Sequence, residues 1–236
     1  MNPDAQPASR QPSGPVHRLG RAGSVWAWRD WAYAGEDGTF GNRFDDAAGT
    51  FRVHYASSQR LGAFLETLAR FRPDPHVTAA TITESEQDAE YPSAAAGLVS
   101  ERWIADRAIS QATLDGVFVD IGHSATLAYL RAVMAARLLH FALDDVDGAV
   151  IRLHAPRAFT QEISSHLYDL ADTGGSRRFN GIAYRSRLGD DFENWAIWDP
   201  PIRSPLQQSN RSIRATRTSP EPSRCSGSSS SPSRER

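Results

Sequence analysis

The sequence predicts an α+β fold: a single domain in which a mixed, largely antiparallel sheet carries flanking helices. Three observations point there. Strand-like segments cluster near both ends of the folded region, with helix-like segments between them. Phe51, Val53 and Tyr55 alternate with Arg52 and His54 at period two, and Leu61, Phe64, Leu65, Leu68 and Phe71 then recur at helical spacing, so a strand runs into a helix. No Gly-rich phosphate-cradling motif follows a strand, which excludes a Rossmann dehydrogenase.

Taken in order, residues 1–16 are polar and proline-rich and read as a disordered lead-in. Structure is expected from His17, with Trp26, Trp28 and Trp31 as packing residues. Glu36-Asp37-Gly38 signals a turn, and Gly41 allows a tight approach before Arg43. After the helix, Pro73 and Pro75 stop regular structure, and residues 76–100 read as a mobile loop or insertion. Trp103, Ile104 and Arg107 begin the next packed piece. Val117 to Ile121 predicts a strand, Ser124 caps a long helix from Ala125 to about Ala142, and Ala149 to Leu153 predicts another strand. Pro156 opens a helix to about Leu170, with Phe159, Ile163, Leu167 and Leu170 as its inner face. Strands Gly181–Arg187 and Trp195–Trp198 follow, joined by the acidic turn Leu188 to Glu193. The domain thus spans 17–202, and the Ser, Pro and Arg-rich stretch 203–236 reads as a disordered tail.

The net charge of -2 conceals an asymmetry. Residues 203–236 hold seven arginines against Glu221 and Glu235, which leaves nineteen against twenty-six acids, or -7, on residues 1–202. An acidic folded part gives no support to direct nucleic-acid binding. The single Cys225 excludes an intrachain disulfide and a cysteine-rich metal site. Asp120, His123, His140, His154 and His166 are scattered without a compact ligand motif, so no metal is expected. There is no apolar leader and no stretch near ~18 consecutive apolar residues, so a cytoplasmic location away from membranes is expected.

Four polar residues stand out. Arg43, Tyr55 and Glu66 fall on three successive elements and can converge on one pocket. Glu66 flanks the apolar stripe of its helix between Gly62 and Ala69, small neighbours that leave space beside the carboxylate, and a surface ion pair with Arg70 is the competing reading. Tyr55 shares a face with Phe51 and Val53, as a plain core tyrosine or a ligand-facing one. Ser186 shares a face with Ile182 and Tyr184, where its hydroxyl needs a partner, either a substrate or a backbone carbonyl.

The runs Asn42-Arg43-Phe44-Asp45, His54-Tyr55-Ala56, Phe64-Leu65-Glu66, Gly181 to Arg187 and Asn194-Trp195-Ala196 resemble the RES domain, over roughly residues 17–199. The resemblance matches Arg43, Glu66 and Ser186 to the arginine, glutamate and serine that name the family, and Tyr55 to a tyrosine between the first two. It implies a fold like that of ADP-ribosyltransferases and an NAD-consuming bacterial toxin, with NAD as substrate and no separate cofactor. Hydrolysis, phosphorolysis and ADP-ribosyl transfer all stay open, as does a catalytically silent binding module. The resemblance also implies a cognate antitoxin with a DNA-binding module as a potential partner. In that setting Glu66 would stabilise positive charge on the ribose and Arg43 would hold phosphate oxygens. Tyr55 would offer an aromatic face to the pyridinium, and Ser186 would bond the nicotinamide amide or its ribose.

Overall fold

The alternating run that begins at Phe51 becomes a central strand of one sheet. The computed structural model describes residues 6–73, 97–199 and 213–216. Its strands are β1 (Ser9–Arg10), β2 (Val16–Arg21), β3 (Val53–Ser57), β4 (Arg107–Leu114), β5 (Phe118–Asp120), β6 (Gly181–Ser186), β7 (Gly189–Trp198) and β8 (Ile213–Thr216). Their spatial order is β1-β5-β6-β7-β3-β2-β4-β8, with β5 and β6 parallel and the other pairs antiparallel. The fold is therefore α+β with a mixed sheet. The helices are α1 (Arg60–Leu68), α2 (Glu101–Ala105), α3 (Ser124–Val133), α4 (Ala135–His140) and α5 (Arg157–Tyr168).

Period-two alternation sorts the sheet into two apolar layers. On one face Phe51, Ile182, Ala196 and Trp198 pack with Leu130, Leu138, Phe159, Ile163 and Leu167 of the helices. On the other, Val16, Ala56, Phe118, Ala183, Trp195 and Ile197 form a smaller core under Trp26. The expected inner face of α5 is observed at Phe159, Ile163 and Leu167, all fully buried. Helix α1 sits unusually close to β3, because a Cβ on Gly62 would lie 2.3 Å from Ser57 Oγ. Gly62 thus serves close approach of helix to strand rather than leaving open space at its own position.

Several expectations are corrected. Residues 6–16 are ordered rather than a loose lead: Ser9 and Arg10 pair with β5, and Arg10 bonds Asp120 at 2.9 Å and Glu193 at 2.7 Å. Ala149 to Leu153 is not a strand but a π-helical turn over Val150–His154, begun by Val150 N donating to Asp147 Oδ1 at 2.6 Å. The long helix divides at Met134 into α3 and α4, and its cap is His123, whose Nδ1 accepts from Ala125 N at 3.1 Å. The acidic residues Gly189 to Glu193 belong to β7, so the turn before it is short. Most of 76–100 and most of the tail lie outside the described residues, and within the tail Ile213–Thr216 pairs with β4. Among the described residues no helix is long and apolar enough to cross a membrane.

His54 lies in the second layer, 1 % exposed, stacked on Trp28 with ring centroids 3.8 Å apart and donating from Nε2 to the Trp26 carbonyl at 3.2 Å. Burial holds its pKa well below the ordinary 6.5, and the nearby charges of Arg18 and Arg52 add to this. A folded-state pKa below the unfolded value means that the unfolded chain binds the proton more readily. The stabilisation is complete above about pH 6.5 and is lost as the pH falls toward the folded value. His54→Phe is expected to flatten this acid-side slope in denaturant titrations between about pH 6.5 and 5. An unchanged slope would assign it to other groups.

Candidate active site

Glu66 projects from the second turn of α1 onto the β6–β7 hairpin. Its Oε1 accepts two hydrogen bonds, from Ser186 Oγ at 2.6 Å and from Asn194 Nδ2 at 2.8 Å. Both donors are buried, at 2 % and 1 % exposure, and β6 and β7 place them side by side because Tyr184 pairs with Asn194 and Ser186 lies two residues on. Ser186 Oγ also accepts from Leu188 N at 2.9 Å, which ties the hairpin turn to the carboxylate. Among the described residues Oε2 of Glu66 has no partner, and Glu66 lines an open hollow with Tyr55, Thr67, Tyr184 and Asn194. The carboxylate is therefore fixed through one oxygen and offers the other. Its surface pairing with Arg70 does not form, and Arg70 instead lies over the Phe71 and Trp103 rings.

Tyr55 fixes the arginine loop. Its hydroxyl donates to Asp45 Oδ1 at 3.0 Å and accepts from Phe44 N at 2.9 Å, while Asp45 Oδ2 accepts from Asn42 N at 2.8 Å. The loop closes around Arg43 and is held against α5 by Ser164 Oγ donating to Phe44 O at 2.7 Å and Gln161 Nε2 donating to Asn42 O at 3.0 Å. Burial drives the Tyr55 pKa well above its ordinary value, and the Asp45 charge adds to the rise, so the hydroxyl stays a neutral donor. The proton of this hydroxyl is thus spent on the loop.

Between Arg43 and Glu66 stands Tyr184, edge-on to Phe44 at 5.2 Å between centroids. Burial raises the Tyr184 pKa, and Glu66 raises it further, so it too is a neutral phenol. Burial lowers the pKa of Arg43, while Tyr184 and Glu66 pull it back up. Arg43 and Glu66 thus feel each other without forming an ion pair, and neither Arg43 nor the Tyr184 hydroxyl has a hydrogen-bond partner among the described residues. The structure sets Tyr55 and Glu66 on one hollow with Ser186 bonded to Glu66, and places Arg43 on a second hollow that shares Tyr184 with the first. It also adds Asn194, Tyr184 and Asp45, and the first two were visible only as members of the downstream motifs. Among the described residues no group of three His, Cys, Asp or Glu side chains is placed to hold a metal ion.

Fold and site define a single-domain α+β protein whose cleft sets a braced carboxylate opposite a desolvated arginine. The RES domain model matches residues 15–217, most of the chain, and the chain belongs to the RES domain family. Comparisons with curated proteins and with solved structures returned no match.

Ser186 therefore acts on the carboxylate rather than on a backbone carbonyl or open space. Ser186→Ala is expected to cost about 1–2 kcal/mol, by removing a donor to a charged group and leaving Leu188 N unpaired, and to lower turnover as Glu66 loosens. Asn194→Ala acts on the same oxygen, so the double variant should lose less than the sum of the single losses. Thermal melts and turnover of the three variants measure this, and full additivity would place the two side chains in separate roles.

Proposed function

We propose that the chain cleaves the bond between nicotinamide and ribose in NAD, with Glu66 as the catalytic carboxylate. The observation that carries this reading is the free Oε2 of Glu66, on a side chain whose other oxygen is held by Ser186 and Asn194 and which lines a hollow with Tyr184, while Arg43 lines a second hollow on the other side of Tyr184, both without partners among the described residues. As the C1′–N bond breaks, its electron pair leaves with neutral nicotinamide and positive charge develops across C1′ and the ring oxygen. A fixed carboxylate stabilises that charge more than it stabilises the ground state. The two hydrogen bonds hold the oxygen in place before reaction, so little reorganisation is needed as the bond stretches. An acceptor oxygen of water, phosphate or a protein hydroxyl then attacks C1′, losing its proton.

The remaining residues bind and orient. Arg43 is desolvated, so a phosphate oxygen would meet a guanidinium less compensated by water. Tyr184 presents a neutral hydroxyl between the arginine and the carboxylate, suited to a ribose hydroxyl. Tyr55 keeps Arg43 in place through Asp45 and Phe44 and acts as a positioning residue.

Glu66→Gln keeps the shape and removes the charge. Turnover of NAD is expected to fall by about a hundredfold or more, with KM changed by less than about threefold, whereas Arg43→Ala mainly raises KM. Release of nicotinamide from NAD, followed by chromatography with and without added phosphate, measures both. Wild-type turnover in folded Glu66→Gln removes the carboxylate from the chemistry.

A further inference from the structure

Across Tyr184 from the carboxylate lies a second, open hollow, walled by Arg43, Ile121, Gly122, Gly148, Arg152 and Tyr184 among others. Arg43 enters from the loop that Tyr55 fixes, and Arg152 enters from the π-helical turn Val150–His154. Such turns occur frequently at functional sites. Gly122 and Gly148 let a ligand approach the backbone, and a Cβ built on Gly148 would meet nothing within 4 Å. The Arg152 guanidinium reaches Asp190 at 2.5 Å, its ion-pair partner among the described residues, and the Asp190 side chain is 82 % exposed. A pair so exposed contributes little, because water screens it and competes for both groups. The Arg187 charge also bears on Arg43. Cations thus gather here although residues 1–202 carry -7 overall.

We propose that Arg43 and Arg152 form a diphosphate subsite, in which Arg152 exchanges the Asp190 carboxylate for a phosphoryl oxygen of a bound dinucleotide. The inference rests on the proposed cleavage of NAD and narrows it: the site takes dinucleotides in preference to the nucleoside. Tyr184 lines both hollows, so a ligand with its ribose at Glu66 extends past Tyr184 into the arginine side. In NAD the diphosphate hangs from the 5′ carbon of that same ribose. Two guanidinium groups match its two negative charges, and each offers a planar fork of donors.

The test uses the full chain with ADP as a diphosphate probe and NAD and nicotinamide riboside as substrates. Arg152→Gln is expected to weaken ADP binding in calorimetry about tenfold and to raise KM for NAD by a similar factor, as loss of one charge-assisted hydrogen bond does. Its kcat on NAD and its KM for the riboside should stay within about twofold. Asp190→Asn should strengthen ADP binding, because the competing carboxylate is gone. Unchanged ADP affinity in Arg152→Gln, an equal loss toward the riboside, or an effect only on the response of the rate to added inorganic phosphate overturns the subsite. ADP binding that depends on Arg152 in a protein that leaves NAD intact supports the subsite and overturns the cleavage, whereas cleavage indifferent to Arg152 does the reverse.

Discussion

The paired hydrogen bonds onto Oε1 of Glu66 set the geometry on which the rest of the cleft depends. They link a helix in the first third of the chain to a hairpin some 120 residues later. For the bonds to form, α1 must lie against the sheet, and that is possible because position 62 has no side chain. The two donors in turn are buried on the hairpin, so the hairpin and the helix satisfy each other's polar groups. The site is in this sense part of the fold rather than an addition to its surface.

A second constraint keeps the opposite charges apart. Arg43 and Glu66 would neutralise each other if they met, and an internal ion pair would leave little for a ligand to gain. Tyr184 stands between them, and the loop of Arg43 is pinned from behind by Tyr55, Asp45, Ser164 and Gln161. The chain therefore spends buried hydrogen bonds on holding two charges in separate positions, a preorganisation that costs stability in the empty protein and lowers the cost of binding. Asn194 shows the same tension: its Nδ2 serves Glu66, while its Oδ1 is buried without a partner among the described residues.

Much of this was legible in the sequence where local pattern and tertiary role agree. The strand at Phe51 to Tyr55, the helix after it, the inner face of α5 and the late hairpin all follow from periodicity, and the succession of elements that carries Arg43, Tyr55 and Glu66 sets them around Tyr184. Legibility failed where tertiary partners override local signals. Arg107–Leu114 is an eight-residue strand without apolar alternation, since most of its side chains are only half-buried. The acidic residues before Asn194 look like a turn, yet they extend β7 because Arg10, Ser58 and Gln59 satisfy Glu193 from distant elements. The run at Ala149 to Leu153 is too short for periodicity to separate strand from helix, and Asp147 decides it by accepting from Val150 N.

The roles of the four named residues were the least legible, because each depends on where one hydrogen atom goes. Ser186 looked like a hydroxyl seeking a substrate or a carbonyl, and it instead donates to Glu66. Tyr55 looked like an aromatic wall with a free hydroxyl, and that hydroxyl closes the arginine loop. Both shifts run in one direction, from contact with a ligand to support of the residue that makes contact. The groups left without partners among the described residues, Arg43, Tyr184 and one oxygen of Glu66, then border two hollows that share Tyr184, with Arg152 on the side of Arg43. A ligand that satisfies all of them must span Tyr184, and the two arginines favour negative charge on their side.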